Sequence, residues 1–178
     1  MNYCQYEPSQ TEKIIGLFTQ TFSDSEGEAE GKLIGELVKE LIETTDSNDL
    51  YVFVANDNNR VVGSILFTRL TFESDKQVFL LAPVAVCTDY QGQGIGQKLI
   101  KVGLQAIKNQ GAELAFTYGD PAFYSKVGFR QVTEEQFKAP LSLSYPHGWL
   151  AQSLTEQELT PIAGGSICVP AFNKQALW

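Results

Sequence analysis

Histidine is nearly missing from this chain. His147 is the only one in 178 residues, which excludes a metal centre built on imidazoles. Cysteine is scarce and scattered. Cys4, Cys87 and Cys168 are odd in number and far apart, so neither a disulfide framework nor a paired-cysteine zinc site is expected. Basic residues are outnumbered, 13 lysines and arginines against 21 aspartates and glutamates, and the formal net charge is −8. Such a field repels phosphate backbones and anionic lipid, which argues against nucleic-acid and membrane partners. It attracts cations, protonated amines among them. Long apolar runs are missing too. The longest, "VFLLAPVAVC", is far too short to span a bilayer. The start, "MNYCQYEPSQ", lacks the basic end and apolar core of a signal peptide, so the expected location is a reducing cytoplasm.

What is present is ordinary globular material. Hydrophobic residues make up 43% and charged residues 19%, which is not the composition of a disordered tail. The length suits one domain with a real core. "NYCQYE" reads as a first strand. Pro8 and Ser9 open a helix through Ile14, Ile15, Leu17 and Phe18 that is expected to end near Ser23. "SDSEGEAEG" reads as a polar link to a second helix. There Leu33, Ile34, Leu37, Val38, Leu41 and Ile42 form one apolar stripe, with Lys32, Glu36, Lys39 and Glu40 outside it.

"LYVFVAND" and "RVVGSILFTRLTFE" flank an Asp-Asn-Asn turn and predict a hairpin over residues 50–72. "QVFLLAPVAV" is apolar on both faces, as a central strand should be. A helix from about Gly94 to Asn109 follows, closed by Gly111. "AELAFTYG" is another buried strand. "DPAFYSKV" suits one short helix with Pro121 early in it, and "GFRQV" is a last short strand. The expected order is βααβββαβαβ. In residues 131–178, "SYPHGWLAQSL" and "GGSICVPAF" read as strands around a helical turn at "TEQEL".

Between the central strand and its helix stand three glycines in five residues, Gly92, Gly94 and Gly96. Free backbone N–H groups and the helix dipole make such a place an anion site. A single glycine would mean only a tight turn; three in this setting point to phosphate. The dinucleotide fingerprint fails, because Gln97 stands where its third glycine belongs. The P-loop fails for want of a Gly-Lys-Ser/Thr sequence. What stands here is Q-x-x-G-x-G, from Gln91 to Gly96.

That loop resembles the pyrophosphate-binding motif of the GNAT superfamily of acyl-CoA N-acyltransferases. The resemblance extends over residues 50–130, through "LLAPVAV", "IGQKLIKVGLQAIKNQ", "ELAFTYG", "DPAFYSKV" and the Gly128-Phe129 pair. It implies an α+β fold in three layers: a mixed, mainly antiparallel sheet with splayed central strands and helices on both faces. It implies an acetyltransferase core over residues 1–130, with residues 131–178 as an extension packed on the same domain. Acetyl-CoA is the implied co-substrate and no metal is expected. The implied activity is acetyl transfer to a primary amine. The alternative on the same fold is a catalytically silent acyl-CoA sensor or interaction module.

By the same resemblance, Gln91, Gly92, Gln93, Gly94, Ile95 and Gly96 hold the pyrophosphate, with Lys126 a further candidate for the phosphates. Val84, Ala85 and Val86 offer main-chain groups to the pantetheine arm, and Val86 is the candidate oxyanion donor. Pro83, which removes a ladder donor, fits a strand that parts from its neighbour. Tyr124 stands where the family carries the general acid that protonates the leaving thiolate. The strand before the loop has no acidic residue, so the base is open between Glu73, Asp120 and water, with helix capping the expected role of Asp120. Cys87 reads as a structural thiol, since direct transfer is the family's usual path. Trp149, Tyr145 and His147 are candidates to line an acceptor pocket. Expected partners are a cationic amine acceptor and a second copy of the chain.

Overall fold

The computed structural model describes every residue, Met1–Trp178. The elements in chain order are β1 (Asn2–Gln5), α1 (Thr11–Glu26), α2 (Glu28–Thr44), β2 (Leu50–Asp57), β3 (Arg60–Phe72), β4 (Val78–Val86), α3 (Ile95–Asn109), β5 (Leu114–Tyr118), α4 (Pro121–Tyr124), β6 (Arg130–Gln131), β7 (Trp149–Ser153) and β8 (Ser166–Cys168). Up to β6 this is the expected order. The chain forms two compact units: Met1–Leu66 with Pro83–Gly103, and Phe67–Ala82 with Leu104–Trp178.

In the first unit the strands run in the order β1-β2-β3-β4. β1 lies antiparallel to β2, from Asn2↔Asn56 to Gln5↔Phe53. The β2–β3 turn is made by Asn58 and Asn59, at φ 45° and 69°, a backbone that asparagine tolerates and most side chains do not. Val52–Ala55 and Val61–Leu66 are buried without alternation, so both faces of these strands are covered. α3 covers one face: a Cβ on Gly63 would stand 3.5 Å from both Leu99 of α3 and Ala55 of β2. The α1–α2 pair brings its own apolar stripes, Ile14, Leu17 and Phe18 with Ile34, Leu37, Val38 and Leu41. These helices cross closely. A Cβ on Gly31 would sit inside the Ser23 hydroxyl, and one on Gly35 inside that of Thr19.

The expected polar link between these helices is a single residue. α1 runs through Ser23 to Glu26, and Gly27 at φ 99° makes the whole turn. Gln20 bridges to Asp24 at 2.6 Å one turn on, and the Gly27 N–H donates to Ser23 O at 3.0 Å, which carries the helix through the polar run.

In the second unit the order is β3-β4-β5-β7-β6, with β8 paired to β3. β4 and β5 are parallel; β5–β7, β6–β7 and β3–β8 are antiparallel. Residues 131–178 form no unit of their own, since β7 inserts between β5 and β6. The core is aromatic. Phe116 lies 5.1 Å from Phe137 and 5.0 Å from Trp149, and Trp149 lies 6.0 Å from Trp178. Trp149 is fully buried and its indole donates to Phe137 O at 2.8 Å, so it packs the core and lines no open pocket. "TEQEL" is not helical. The Ser153 hydroxyl takes the Thr155 N–H at 3.3 Å, and that local bond competes with a helix start.

Candidate active site

Two clusters hold the residues singled out by sequence, one in each unit. The first is the turn from β4 into α3. The first rung of α3 is the Lys98 N–H to Gly94 O, 3.1 Å, so the N–H groups of Ile95, Gly96 and Gln97 have no acceptor within the helix. Gly92 and Gly94 have φ of 76° and 78°, and a Cβ on either would meet nothing within 4 Å. The backbone at both glycines is thus bare and open, directly before the free donors in the chain. Gln91–Gly94 are exposed, while the Ile95 side chain is buried, so Ile95 has only its N–H to offer. This arrangement fits a diphosphate: several convergent donors, a favourable dipole and no side chain in the way.

Gln91 has a different part. Its side chain donates to Val86 O at 3.0 Å and ties the loop back to β4. The link before the glycines is held at two further points. Thr88 donates to Asp24 at 2.6 Å, and Tyr90 donates to Asp57 at 2.9 Å. Arg60 stands 5.5 Å above the Tyr90 ring and donates to the Cys87 sulfur at 3.4 Å. Asp57 beside the Tyr90 hydroxyl pushes that phenol up, and the bonds from Thr88 and Gln20 hold the Asp24 carboxyl below its ordinary value. These braces come from 64 and 33 residues away and carry no local signal in the sequence.

The Asp24 brace gives an acid dependence. A depressed carboxyl favours the folded state above its unfolded value of 3.8, and that contribution fades as pH falls through the lower folded value. Asp24→Asn should therefore lower thermal stability slightly near pH 7, where the contribution is complete, and flatten the acid end of the profile. An acid limb identical to that of the wild type would remove Asp24 from the brace.

β4 supplies the main chain beside the loop. The ladder with β5 runs from Val78↔Leu114 to Leu81↔Thr117, and β4 continues to Val86. Burial changes at the same place: Val78–Leu81 are buried without alternation, whereas half-buried Ala82, Val84 and Val86 alternate with buried Pro83 and Ala85. Cys87 N–H donates to Val62 O of β3 at 2.8 Å, so alternate residues back along β4 face that strand. Ala85 does so, its carbonyl 3.5 Å from where a Gly63 Cβ would stand. Of the three residues expected to offer main-chain groups, Val84 and Val86 therefore face away from β3 and Ala85 faces it.

The second cluster surrounds Tyr124. Asp120 is the N-cap of α4, accepting the Ala122 N–H at 2.9 Å, as expected. Tyr124 ends that helix, half-buried, its ring 5.0 Å from Phe123 and 5.8 Å from Phe129. Gly119, just past β5, lies under the same ring: a Cβ there would be 2.8 Å from Tyr124 Cε2. Burial pushes the Tyr124 phenol up to about 12; the Thr117 hydroxyl, its side-chain hydrogen-bond partner, acts the other way, and Asp120 adds to the rise. The phenol is consequently protonated throughout the neutral range, as an acid must be before it acts.

The Gly119 contact is testable. Gly119→Ala should force the Tyr124 ring to shift and, with Tyr124 as the candidate acid, lower kcat about tenfold or more, because small misplacements of such a group are costly. The melting temperature should move little. Unchanged kcat would mean that the ring position is not critical.

The remaining candidates lie apart from these clusters or at the surface. Glu73 follows β3, is exposed, and lies against Gly164. Lys126 is exposed on the short turn after α4. His147 and Tyr145 are exposed, their rings 5.9 Å apart. No group of three or more His, Cys, Asp or Glu side chains is placed to hold a metal, and no helix is long and apolar enough to cross a membrane.

Residues 48–131 match the acetyltransferase (GNAT) domain model. The chain is 33% identical over 125 residues to YjhQ of Escherichia coli, an uncharacterised N-acetyltransferase, across 67% of this chain and 69% of that one. It is 35% identical over 81 residues to a second uncharacterised N-acetyltransferase of that species, YhbS, across 45% of this chain and 48% of YhbS. The crystal structure of YhbS in complex with CoA superimposes with a TM-score of 0.84 at 25% identity, covering 97% of this chain and 92% of that one. A GNAT family acetyltransferase from Brucella melitensis, in complex with acetyl-CoA, shares the fold at a TM-score of 0.72 and 23% identity. With the glycine turn, the end of β4 beyond its ladder with β5 and the tyrosine of α4 in the family's order, the chain belongs to the GNAT family of N-acetyltransferases.

Proposed function

We propose that this protein moves an acetyl group from acetyl-CoA directly to a primary amine of a small molecule or peptide. The observation that carries this reading is the glycine turn, with the N–H groups of residues 95–97 beyond the first rung of α3 and no side chain on Gly92 or Gly94. CoA in complex with YhbS and acetyl-CoA in complex with the Brucella protein support the choice of ligand. The turn takes the pyrophosphate. The outward main chain of Val84 and Val86 takes the pantetheine arm, and the Val86 N–H is the oxyanion donor. The amine nitrogen attacks the thioester carbonyl, the C–S bond breaks, and Tyr124 gives its proton to the departing thiolate. The nitrogen sheds its extra proton to water or to Glu73, and water restores the proton on Tyr124. Asp120 is left out as base because its carboxylate holds the α4 cap.

One observation favours a second reading, an acyl-CoA sensor without turnover. β4 carries no acidic residue, and Glu73 is an exposed residue of the β3–β4 link. Thiol release from acetyl-CoA, measured against amines, polyamines, amino acids and peptides, separates the two. An amine that accelerates release, with acetylated product by mass spectrometry, supports the transferase. Tight acetyl-CoA binding with no release for any amine would establish the sensor. The net charge of −8 adds an expectation about the acceptor. If it is cationic, its apparent affinity should fall with rising salt more than that of acetyl-CoA does. A preferred acceptor that is anionic would show the overall charge to be irrelevant.

A further inference from the structure

We propose that Gln152 is a positioning residue for Tyr124: from β7 it clamps the turn that follows α4 and so sets where the tyrosine ring stands. The inference rests on the reading of Tyr124 as general acid. Gln152 is half-buried and lies in register with Ala115 of β5. Its side-chain amide donates to Val127 O at 3.0 Å, 25 residues away in the chain. The same amide lies against the next residue. A Cβ on Gly128 would stand 3.0 Å from Gln152 Oε1 and 3.5 Å from Nε2. Gly128 has φ of 95°, the left-handed backbone on which the chain turns towards β6. Leu150 and Leu154, two residues to either side of Gln152, are buried apolar side chains. An apolar residue at 152 would match them; the amide gives a directed bond instead.

The clamped peptide belongs to the tyrosine's own support. Tyr124 ends α4, and its carbonyl takes the Phe129 N–H at 3.2 Å, which closes residues 124–129 into one loop. Inside it the Gly128 N–H donates to Ser125 O at 3.3 Å, and the Phe129 ring meets the Tyr124 ring edge-on at 5.8 Å. These contacts are local and would survive a swing of the loop as a body. The β6–β7 ladder, Arg130↔Ala151 and Gln131↔Leu150, fixes the chain beyond the loop. Gln152 fixes the loop itself. The other side of the ring is set by the same segment. Gly119, under the ring, donates its N–H to Gly148 O at 3.0 Å, one residue before β7. Residues 148–152 of the extension thus hold both the glycine beneath the tyrosine and the turn behind it.

The test uses the whole protein with a fluorinated tyrosine at position 124 alone, read by fluorine NMR. The resonance reports the surroundings of the ring whether or not the phenol acts as an acid. Gln152→Met keeps the length of the side chain and deletes the donor. Its resonance should shift or broaden relative to the wild type, in a protein that a thermal melt shows to be folded. Gln152→Glu, the same shape with an acceptor in place of the donor, should do the same. Gln131→Met is the control. It deletes a comparable bond on the adjoining strand, from Gln131 to His147 O at 3.1 Å, and should leave the resonance in place. A folded Gln152 variant with the wild-type resonance overturns the proposal. An equal shift in Gln131→Met would show a general loosening and would also overturn it.

A kinetic arm uses acetyl-CoA and the amine of highest thiol release. Gln152→Met should lower kcat about ten- to a hundredfold with the KM for acetyl-CoA unchanged, since a misplacement of about 1 Å can cost that much. In a Tyr124→Phe background, Gln152→Met should change kcat no further. An equal loss in that background would show a structural effect unconnected with the tyrosine and would overturn the proposal. If Tyr124→Phe has a normal chemical step while the resonance moves in Gln152→Met, the general-acid reading fails and the positioning of Tyr124 by Gln152 stands.

Discussion

Gly94→Val should abolish measurable CoA binding while the protein remains folded. Two features of Gly94 separate binding from folding. Its φ of 78° is a conformation that a β-branched residue adopts only at a cost of about 1–2 kcal/mol. That is a modest part of the roughly 5–15 kcal/mol that holds a domain together. A Cβ there meets no protein atom within 4 Å, so no core contact is lost. The N–H groups of residues 95–97, which follow directly in the chain, are without helical partners. A valine there keeps a diphosphate off those donors and pulls the turn out of register. Hydrogen bonds to charged groups contribute about 1.5–3 kcal/mol each. Losing two of them weakens binding by about a hundred- to ten-thousandfold. Titration calorimetry with CoA measures the affinity, and a thermal melt checks the fold. Wild-type affinity in a folded Gly94→Val protein would refute the phosphate site.

Tyr124→Phe should lower kcat by about a hundred- to ten-thousandfold, the usual range for general acid catalysis, and leave the KM for acetyl-CoA nearly unchanged. The substitution keeps the ring on Gly119 and its contacts with Phe123 and Phe129, so the melting temperature should barely move. Phe123→Leu is the complementary control, costing stability and sparing the chemistry. The pH dependence has a definite sign. The phenol is pushed up to about 12, so the acid form persists through and well above neutrality, and no loss of the acid is expected below that value. For stability the same shift means that the folded state holds this proton more tightly. Its contribution is complete below the ordinary value of 10 and is lost as pH rises towards about 12. The cost of the shift is a weaker acid. Against a thiol near 8.5, proton transfer is uphill by about 5 kcal/mol, which a stabilised phenolate would reduce. If product release limits kcat, the loss will show only in a single-turnover measurement. A normal chemical step there would remove Tyr124 from the mechanism.

Much of this protein was legible in the residues because the signals are local. The stripe from Ile34 to Leu41 marks a helix face, and the Asp-Asn-Asn turn marks a hairpin. The glycines before Gln97, in a spacing that fits neither nucleotide fingerprint, mark the turn proposed to take the pyrophosphate. Asp120 before Pro121 announces a helix start and is found capping one. Local reasoning failed where polar residues were ambiguous. "SDSEGEAEG" reads as a loop, but only Gly27 breaks the helices, because the Gln20–Asp24 bridge carries α1 onward. "TEQEL" reads as a helical turn, but Ser153 takes the first N–H group of that run.

The sequence by itself determined the family, the glycine turn and the place of the tyrosine, since each depends on residues that are neighbours in the chain. Only the tertiary structure decided what surrounds them. Asp24 and Asp57 brace the loop from distant elements. Trp149 is core rather than pocket wall, and Ala85 turns towards β3 while Val84 and Val86 do not. Thr117, at the end of the β4–β5 ladder, gives its hydroxyl proton to Leu81 O. The reason is the same in each case. A strand alternates its groups from side to side, and which side is free depends on partners that pairing brings from elsewhere in the chain.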